Sequence, residues 1–394
     1  MTAGPPSPRA ASSRGLAPYG IALTWLCVAA FGLLGLPLLT VAENRLALGR
    51  PVPGLDLLGG AGALGIAAGV LGVVWLVQRS GPRPARFAVA AFVLALLLFA
   101  ETLGHGAARS LAGLAPAARA SLGGGSWLTL ALLAGALGSA IRRSRVPGLG
   151  LATGLCVILA FTVMARAGRF DALSLVVEYD ARRETVNAAL REHLVLSAAA
   201  LVLAVAVAGL LTLWRRGQGL VAALLGGIQV VPAVALLGGL VAVTAGLLRA
   251  LPSLRDLGLS ALGATPAVVA VAAYLLLPLW RGLALALRAP DAATLEAAGA
   301  LGLTRVQTLI GVRLPLGAPI LVGALRVAAV QSIGLATLGA LVGAGGLGRI
   351  VFDGMAQFAP DLILLGAIPV VALSLGAEAG LSRLETAVRG RWHA

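Results

Sequence analysis

Of 394 residues, 59% are hydrophobic, only 11% are charged and 53 are glycine, and the mean hydropathy is +0.98. A soluble globule, typically about 45–50% apolar with glycine included, has no way to cover so much apolar surface, and a disordered chain is excluded for the same reason. The formal net charge is +15, from 30 basic and 15 acidic residues, and because every basic residue is arginine, a Walker A phosphate loop and Schiff-base chemistry are excluded.

Residues 1–18, rich in Pro, Ser and Ala, read as a disordered cytoplasmic tail. A bilayer core of about 30 Å needs ~20 apolar residues of helix. Five runs of that kind follow the tail, at 19–41, 54–78, 87–103, 122–141 and 147–165. The first lies behind Arg9 and Arg14 and ahead of Thr40-Val41-Ala42, the outline of a signal peptide. Its length exceeds the usual apolar stretch of about 7–15 residues, which points to an uncleaved anchor. Cys27 and Cys156 lie within apolar runs and read as small hydrophobes, with no disulfide or metal site implied.

The five runs make an N-terminal membrane extension, 19–165. An extracytoplasmic segment, 166–192, follows, with five arginines against Asp171, Glu178, Asp180, Glu184 and Glu192. Leu173, Val176 and Val177 suit a folded surface element leading into the next span; a solvated lead-in fits equally well. Five more apolar runs fill the core, 193–394, at 193–214, 219–248, 263–280, 316–342 and 361–380. No repeat relates the two halves, which argues against an inverted-repeat carrier.

The arginines orient these spans. With ten spans and both termini cytoplasmic, 17 arginines fall inside, 12 outside and Arg326 within a span. The clusters that hug span ends, Arg142-Arg143 and Arg215-Arg216, then fall inside, as the positive-inside rule requires. Arginines scattered between apolar runs do not make a nucleic-acid surface, so no nucleic-acid partner is expected.

The longest inner loop, 281–315, contains Glu296-Ala297-Ala298, then Gly302, then Val312-Arg313-Leu314-Pro315. Local physics reads it as two short helices meeting at a glycine. Asp291 can cap the first, and Gly302 can take the left-handed conformation that ends it. Thr304 and Gln307 have capping-box spacing for the second, and Pro315 is expected to stop it before the next span. Ala297 and Ala298 leave a side-chain-poor surface that another protein could approach closely.

This stretch resembles the EAA loop of ABC importer permeases: Glu-Ala-Ala, three residues, Gly, nine residues, Ile-x-Leu-Pro, with valine for isoleucine at Val312. The resemblance implies an all-α polytopic membrane protein, with a type I ABC importer fold of about five core helices preceded by about five extra ones. It implies that Glu296, Ala297, Ala298, Gly302, Leu314 and Pro315 belong to a coupling loop seated in a separate ATPase subunit. The stretch from Gln229 through Pro232 to Gly238 is similar to the Gln-x-x-Pro-x-x-Ala-Leu-Leu-Gly segment of glycine betaine, carnitine and choline permeases. Thr265-Pro266, Tyr274 to Pro278, Ser332 to Leu338 and Gly343 to Gly348 follow in the family's order.

Gly343, Gly345 and Gly348 also satisfy Gly-x-Gly-x-x-Gly, but no βαβ unit surrounds them; they suit close helix approach or a break at the outer face. Polar groups within spans are candidates for a translocation path or gate: Gln229 beside Pro232, Arg326, Gln331 and Ser332. For Gln229 and Gln331 interhelical hydrogen bonding is an equal alternative, and Arg326 can instead snorkel to the inner interface. Gln229 could also satisfy the carbonyl freed by Pro232. Glu101 and His105 read as a solvated interfacial pair more readily than a proton pair, and His193 as interfacial rather than a ligand.

With 6 Trp, 3 Tyr and 8 Phe dispersed near span ends, no aromatic cage for a quaternary ammonium group is visible. The resemblance therefore implies a division of labour: an extracytoplasmic binding protein selects, ABC ATPase subunits hold ATP and Mg, and this chain, with no cofactor or enzymatic activity of its own, provides the route in a cell inner membrane. A second permease copy, identical or not, completes the pair. Alternatives are a permease for methionine or sulfonate, and a non-transporting membrane sensor or assembly protein on the same core.

Overall fold

The computed structural model describes residues 31–44, 47–59, 62, 82–214 and 217–392; the expected tail at 1–18, Cys27 and most of the first two expected spans lie outside the described residues. Two compact units make up the chain, Met1–Val177 and Glu178–Ala394.

The first unit holds a small sheet that was not expected. β1 (Pro37–Ala42) is central, paired antiparallel with β2 (Arg50–Pro53) on one side and β3 (Arg119–Leu122) on the other. The expected first span therefore does not stay helical to residue 41. After one wide helical turn at Phe31–Gly35, Pro37 brings no amide to continue a helix, and the chain turns extended. Leu38, Leu39 and Val41 then become core residues together with Leu57, Phe99 and Leu103. Among the described residues, three long helices join the sheet in this unit: α1 (Pro82–Leu111), α2 (Gly124–Ser144) and α3 (Leu149–Arg166).

The 166–192 segment is folded. It contains α4 (Ser174–Ala181) and the start of α5 (Arg183–Leu213), and Leu173 packs into the core of the first unit. Arg169 reaches back to α1, with Nη1 2.8 Å from Glu101 Oε1 and 3.2 Å from His105 Nε2. Glu101 and His105 also contact each other at 2.9 Å, so the carboxylate is already engaged by a guanidinium.

In the second unit α5 is followed by α6 (Gln218–Val230), α7 (Ala233–Ala250) and α8 (Ala264–Ala286). Then come α9 (Ala292–Ala300), α10 (Arg305–Thr308) and α11 (Leu314–Ala336). A 3₁₀ stretch, Thr337–Val342, leads to α12 (Leu347–Ala356) and the final helix α13 (Pro360–Trp392). Among the described residues, eight helices are long and apolar enough to cross a membrane. The expected continuous span at 219–248 is instead two helices, broken where Pro232 supplies no amide.

The core of this unit is a stripe of alanines. Ala200, Ala204 and Ala208 on α5 are almost wholly buried against Val271, Leu275 and Leu279 of α8. A spacing of four puts them on one helix face. Between helices in lipid no hydrophobic effect separates protein from solvent, so association relies on close van der Waals approach, which small residues permit. Replacing Ala204 with leucine is expected to cost about 1–3 kcal/mol through overpacking. Val202→Leu, at a position 69% exposed, is expected to change stability by less than ~0.5 kcal/mol. Thermal unfolding of the purified protein in detergent, followed by tryptophan fluorescence, compares the two.

Candidate functional site

The 281–315 loop folds as a capped elbow. Asp291 N-caps α9, its Oδ1 accepting the Thr294 amide at 2.7 Å. Hydrogen bonds from the Thr294 hydroxyl and backbone hold the Asp291 carboxyl below its usual range. The cap is thus ionised and in place at neutral pH, and its contribution disappears as pH falls through that lowered value.

At the other end of α9, Gly302 sits at φ +71°. Its N–H meets Gly299 O at 2.9 Å and the Leu303 N–H meets Ala298 O at 3.1 Å. These two bonds make a Schellman turn, in which a side chain at the glycine position would be strained. The next residue but one, Thr304, starts α10 with a full capping box: Gln307 N donates to its Oγ1 at 3.3 Å, and Thr304 N donates to Gln307 Oε1 at 2.8 Å.

Pro315 does not stop this second helix. α10 runs through a wide turn at Leu309–Arg313 straight into α11, and Pro315 occupies the first turn of α11. The wide turn relaxes the i→i−4 ladder where the proline offers no donor, so the chain stays helical. The elbow is also fastened to the end of α8. Arg313 Nη1 donates to Leu287 O at 2.5 Å, and Gly317 lies so close to α8 that a Cβ there would stand 2.4 Å from Ala286 O.

The surface of the elbow is apolar at its tip. Leu301 is 79% exposed, and Val306 and Ile310 are about as open at 62% and 61%. Glu296 and Ala297 are exposed beside them. Ala298, expected on that same surface, is instead buried, since a helix turns about 100° per residue and carries it onto a neighbouring, packed face. The Leu314 and Pro315 side chains are half-buried at the junction with α11.

The path candidates separate into two kinds. Gln229 stands at the end of α6 beside the Val231–Pro232 break, but it does not serve the carbonyl freed by Pro232. That carbonyl, on Ile228, accepts from the Val231 N–H at 3.2 Å. Gln229 Nε2 instead donates to Tyr274 O on α8 at 3.0 Å, while the Tyr274 hydroxyl donates to Val231 O. Gln331 is exposed on α11, and its neighbour Ser332 is buried with its hydroxyl donating to Ala329 O at 2.8 Å. Arg326 forms ion pairs with Glu378 and Glu385 of α13, the latter at 3.3 Å from Nε, so it joins two helices. Its charge finds partners inside the unit, where snorkelling would have carried it outward.

His193 packs inside the unit. It is fully buried in α5, and its Nε2 donates to Ile333 O at 2.9 Å. That carbonyl is left without its usual helical donor because Thr337 N–H turns to Gly334 O and Leu335 O as α11 tightens into the 3₁₀ stretch. Next to it, Glu192 Oε2 accepts the Gly346 N–H at 2.8 Å, at the start of α12. The glycine-rich segment is indeed a break with close approach. Gly343, Gly345 and Gly346 all have positive φ, and a Cβ on Gly348 would lie 2.0 Å from Thr337 O.

Sequence reading missed the roles of Tyr274, Glu192, Glu378 and Glu385. For Tyr274 a signal existed: Pro278, four residues on, deprives its carbonyl of a helical donor.

Residues 200–390 match the family described as "binding-protein-dependent transport system inner membrane component", and residues 17–176 match "ABC transporter permease YehY, N-terminal domain". The chain is 34% identical over 198 residues to the carnitine transport permease protein OpuCB of Listeria monocytogenes, covering 49% of this chain and 84% of that protein. It is 31% identical over 188 residues to the choline transport system permease protein OpuBB of Bacillus subtilis, covering 47% and 79%. An inward-facing MetNI methionine ABC transporter is similar with a TM-score of 0.46 at 19% identity, over 52% of this chain and 97% of that one.

Thr304→Ala removes one half of the capping box and is expected to destabilise α10 by about 1 kcal/mol. Amide hydrogen exchange at Gln307 should then accelerate about fivefold, with exchange in α8 unchanged.

Proposed function

The chain belongs to the binding-protein-dependent inner-membrane permeases of ABC importers, and from that membership we propose that the 281–315 elbow is where separate ATPase subunits drive it. The observation that carries this reading is a rigid, doubly capped elbow with an exposed apolar tip, fastened at its base to α8 and α11. A lever must not deform under load. The Schellman turn and the capping box satisfy the backbone groups at the corner, so force applied at Leu301 or Val306 moves the helices rather than unwinding them. The apolar tip supplies area for a partner's cleft, and Glu296 supplies a charge that fixes its register.

The chain has no lysine for a phosphate loop, so ATP and Mg belong to the partner and this subunit is non-catalytic. Arg281, Arg288, Arg305 and Arg313 in the elbow support a cytoplasmic position for it, with both termini on the same side. A second permease copy would complete the path, alongside the exposed Gln331 and the break at Pro232. An extracytoplasmic binding protein would deliver substrate.

The substrate we propose is a quaternary-ammonium osmoprotectant of the glycine betaine or choline kind. The support is that relatives at 31–34% identity are carnitine and choline permeases. The complex with its ATPase and binding protein, reconstituted in proteoliposomes, should accumulate labelled glycine betaine or choline only with internal or external ATP on the ATPase side. Accumulation of methionine with neither of these transported would overturn the substrate assignment.

Glu296→Lys and Gly302→Leu should each lower uptake at least tenfold while membrane insertion is retained. Glu296→Lys reverses the charge at the contact, and Gly302→Leu forces a branched side chain to φ +71°. Uptake equal to wild type in both variants would remove the elbow from the coupling mechanism.

A further inference from the structure

We propose that Tyr274 is a positioning residue for transport: with Gln229 it ties the break between α6 and α7 to the proline-containing helix α8, so that movement of the elbow reaches the break. The proposal rests on the reading of the elbow as the ATPase contact.

Three observations carry it. The C-terminal end of α8 is clamped to the elbow through Arg313 on Leu287 O and Gly317 against Ala286, so the two must move together. Upstream, Pro278 lies inside α8 and cannot donate to the carbonyl four residues earlier, which is that of Tyr274. Gln229 Nε2, from the last turn of α6, donates to this carbonyl at 3.0 Å.

The reciprocal bond closes the pair. Val231 follows α6 with extended backbone (φ −69°, ψ 128°), so its carbonyl lies outside the ladders of both α6 and α7. The Tyr274 hydroxyl donates to it. One residue thus meets the break twice, accepting with its backbone and donating with its side chain. One bond relieves the carbonyl that Pro278 leaves without a helical donor, and the other a carbonyl that the extended Val231 leaves outside the helical ladders.

In an apolar surrounding an orphaned carbonyl is costly, so the two defects are held together rather than being independently flexible. Displacement of α8 at the elbow end pivots about Pro278 and is delivered, through Tyr274, to Val231 and Pro232. Side-chain packing alone would hold the helices side by side; only the hydroxyl bond ties α8 to the one non-helical point of the α6–α7 pair.

The test uses the full complex with its ATPase subunits in lipid nanodiscs, in a chain with Cys27→Ala and Cys156→Ala. Val231→Cys reports on the break, since it changes the side chain and leaves the carbonyl in place. The rate of modification by a charged methanethiosulfonate reagent, read as mass added to the permease, is compared without nucleotide and after trapping with ATP and vanadate. The rate should change at least fivefold in the parent. In Tyr274→Phe the two rates should fall within twofold of each other while ATP hydrolysis stays within twofold of the parent. Gln229→Leu should give an intermediate response, and the double variant should add nothing to Tyr274→Phe.

A full nucleotide response in Tyr274→Phe, or no response in a parent that hydrolyses ATP, overturns the proposal and leaves the elbow reading standing. Failure of the ATPase subunits to co-purify with the parent overturns the elbow reading and the proposal with it. Loss of co-purification in Glu296→Lys supports the elbow reading alone, and a Tyr274→Phe complex that still binds ATPase shows that the variant is folded.

Discussion

In a bilayer core no water is present to satisfy a free N–H or C=O, and every departure from regular helix must find a partner inside the protein. At four departures from regular helix in the second unit, a neighbouring helix supplies the missing group. Pro278 orphans Tyr274 O, which Gln229 meets. The break at Pro232 exposes Val231 O, which the Tyr274 hydroxyl meets. The tightening of α11 into 3₁₀ geometry releases Ile333 O, which His193 meets, and the start of α12 frees the Gly346 N–H, which Glu192 accepts. These bonds join neighbouring helices across the unit, and the alanine stripe on α5 lets α5 and α8 pack closely.

The same rule explains why the elbow lies where it does. Outside the apolar core, water can satisfy loose ends, so rigidity there has to be built by caps. Asp291, the Schellman turn at Gly302 and the Thr304–Gln307 box together leave few backbone groups dependent on solvent. Arg313 and Gly317 then fix the elbow to α8 and α11. Rigid corner, clamped base and polar-bonded break form one continuous route from an exposed apolar tip to an interruption in a membrane helix.

Much of this was legible one residue at a time. Asp291, Gly302, Thr304 and Gln307 act over three or four residues, so the caps could be written down from spacing and were found as expected. Pro232 marks a carbonyl without a donor for the same local reason, although the run around it reads as one span. What spacing could not reveal was the partner across space. By spacing, Gln229 suits a carbonyl of its own helix, and in the fold it serves another. His193 carries no sequence signal for its partner, the Ile333 carbonyl 140 residues away. Arg326 looked free to snorkel and is held by Glu378 and Glu385 more than fifty residues away. Ala298 and Pro315 were misread for a related reason, since facing and continuity of a short helix depend on what it packs against.

By itself, then, the sequence determined the class of solvent, the rough position of the apolar runs, the lack of a lysine for a Walker A loop and the chemistry of the elbow's caps. All of these depend on composition or on neighbours along the chain. Tertiary structure alone decided the strand at Pro37, whose pairing partners Arg50–Pro53 and Arg119–Leu122 are remote. It also decided the bond between Tyr274 and the break, and the burial of His193. The physical reason is common to all three: a backbone polar group or a charge in an apolar medium takes whichever partner the fold brings within about 3 Å, and sequence distance has no influence on that choice.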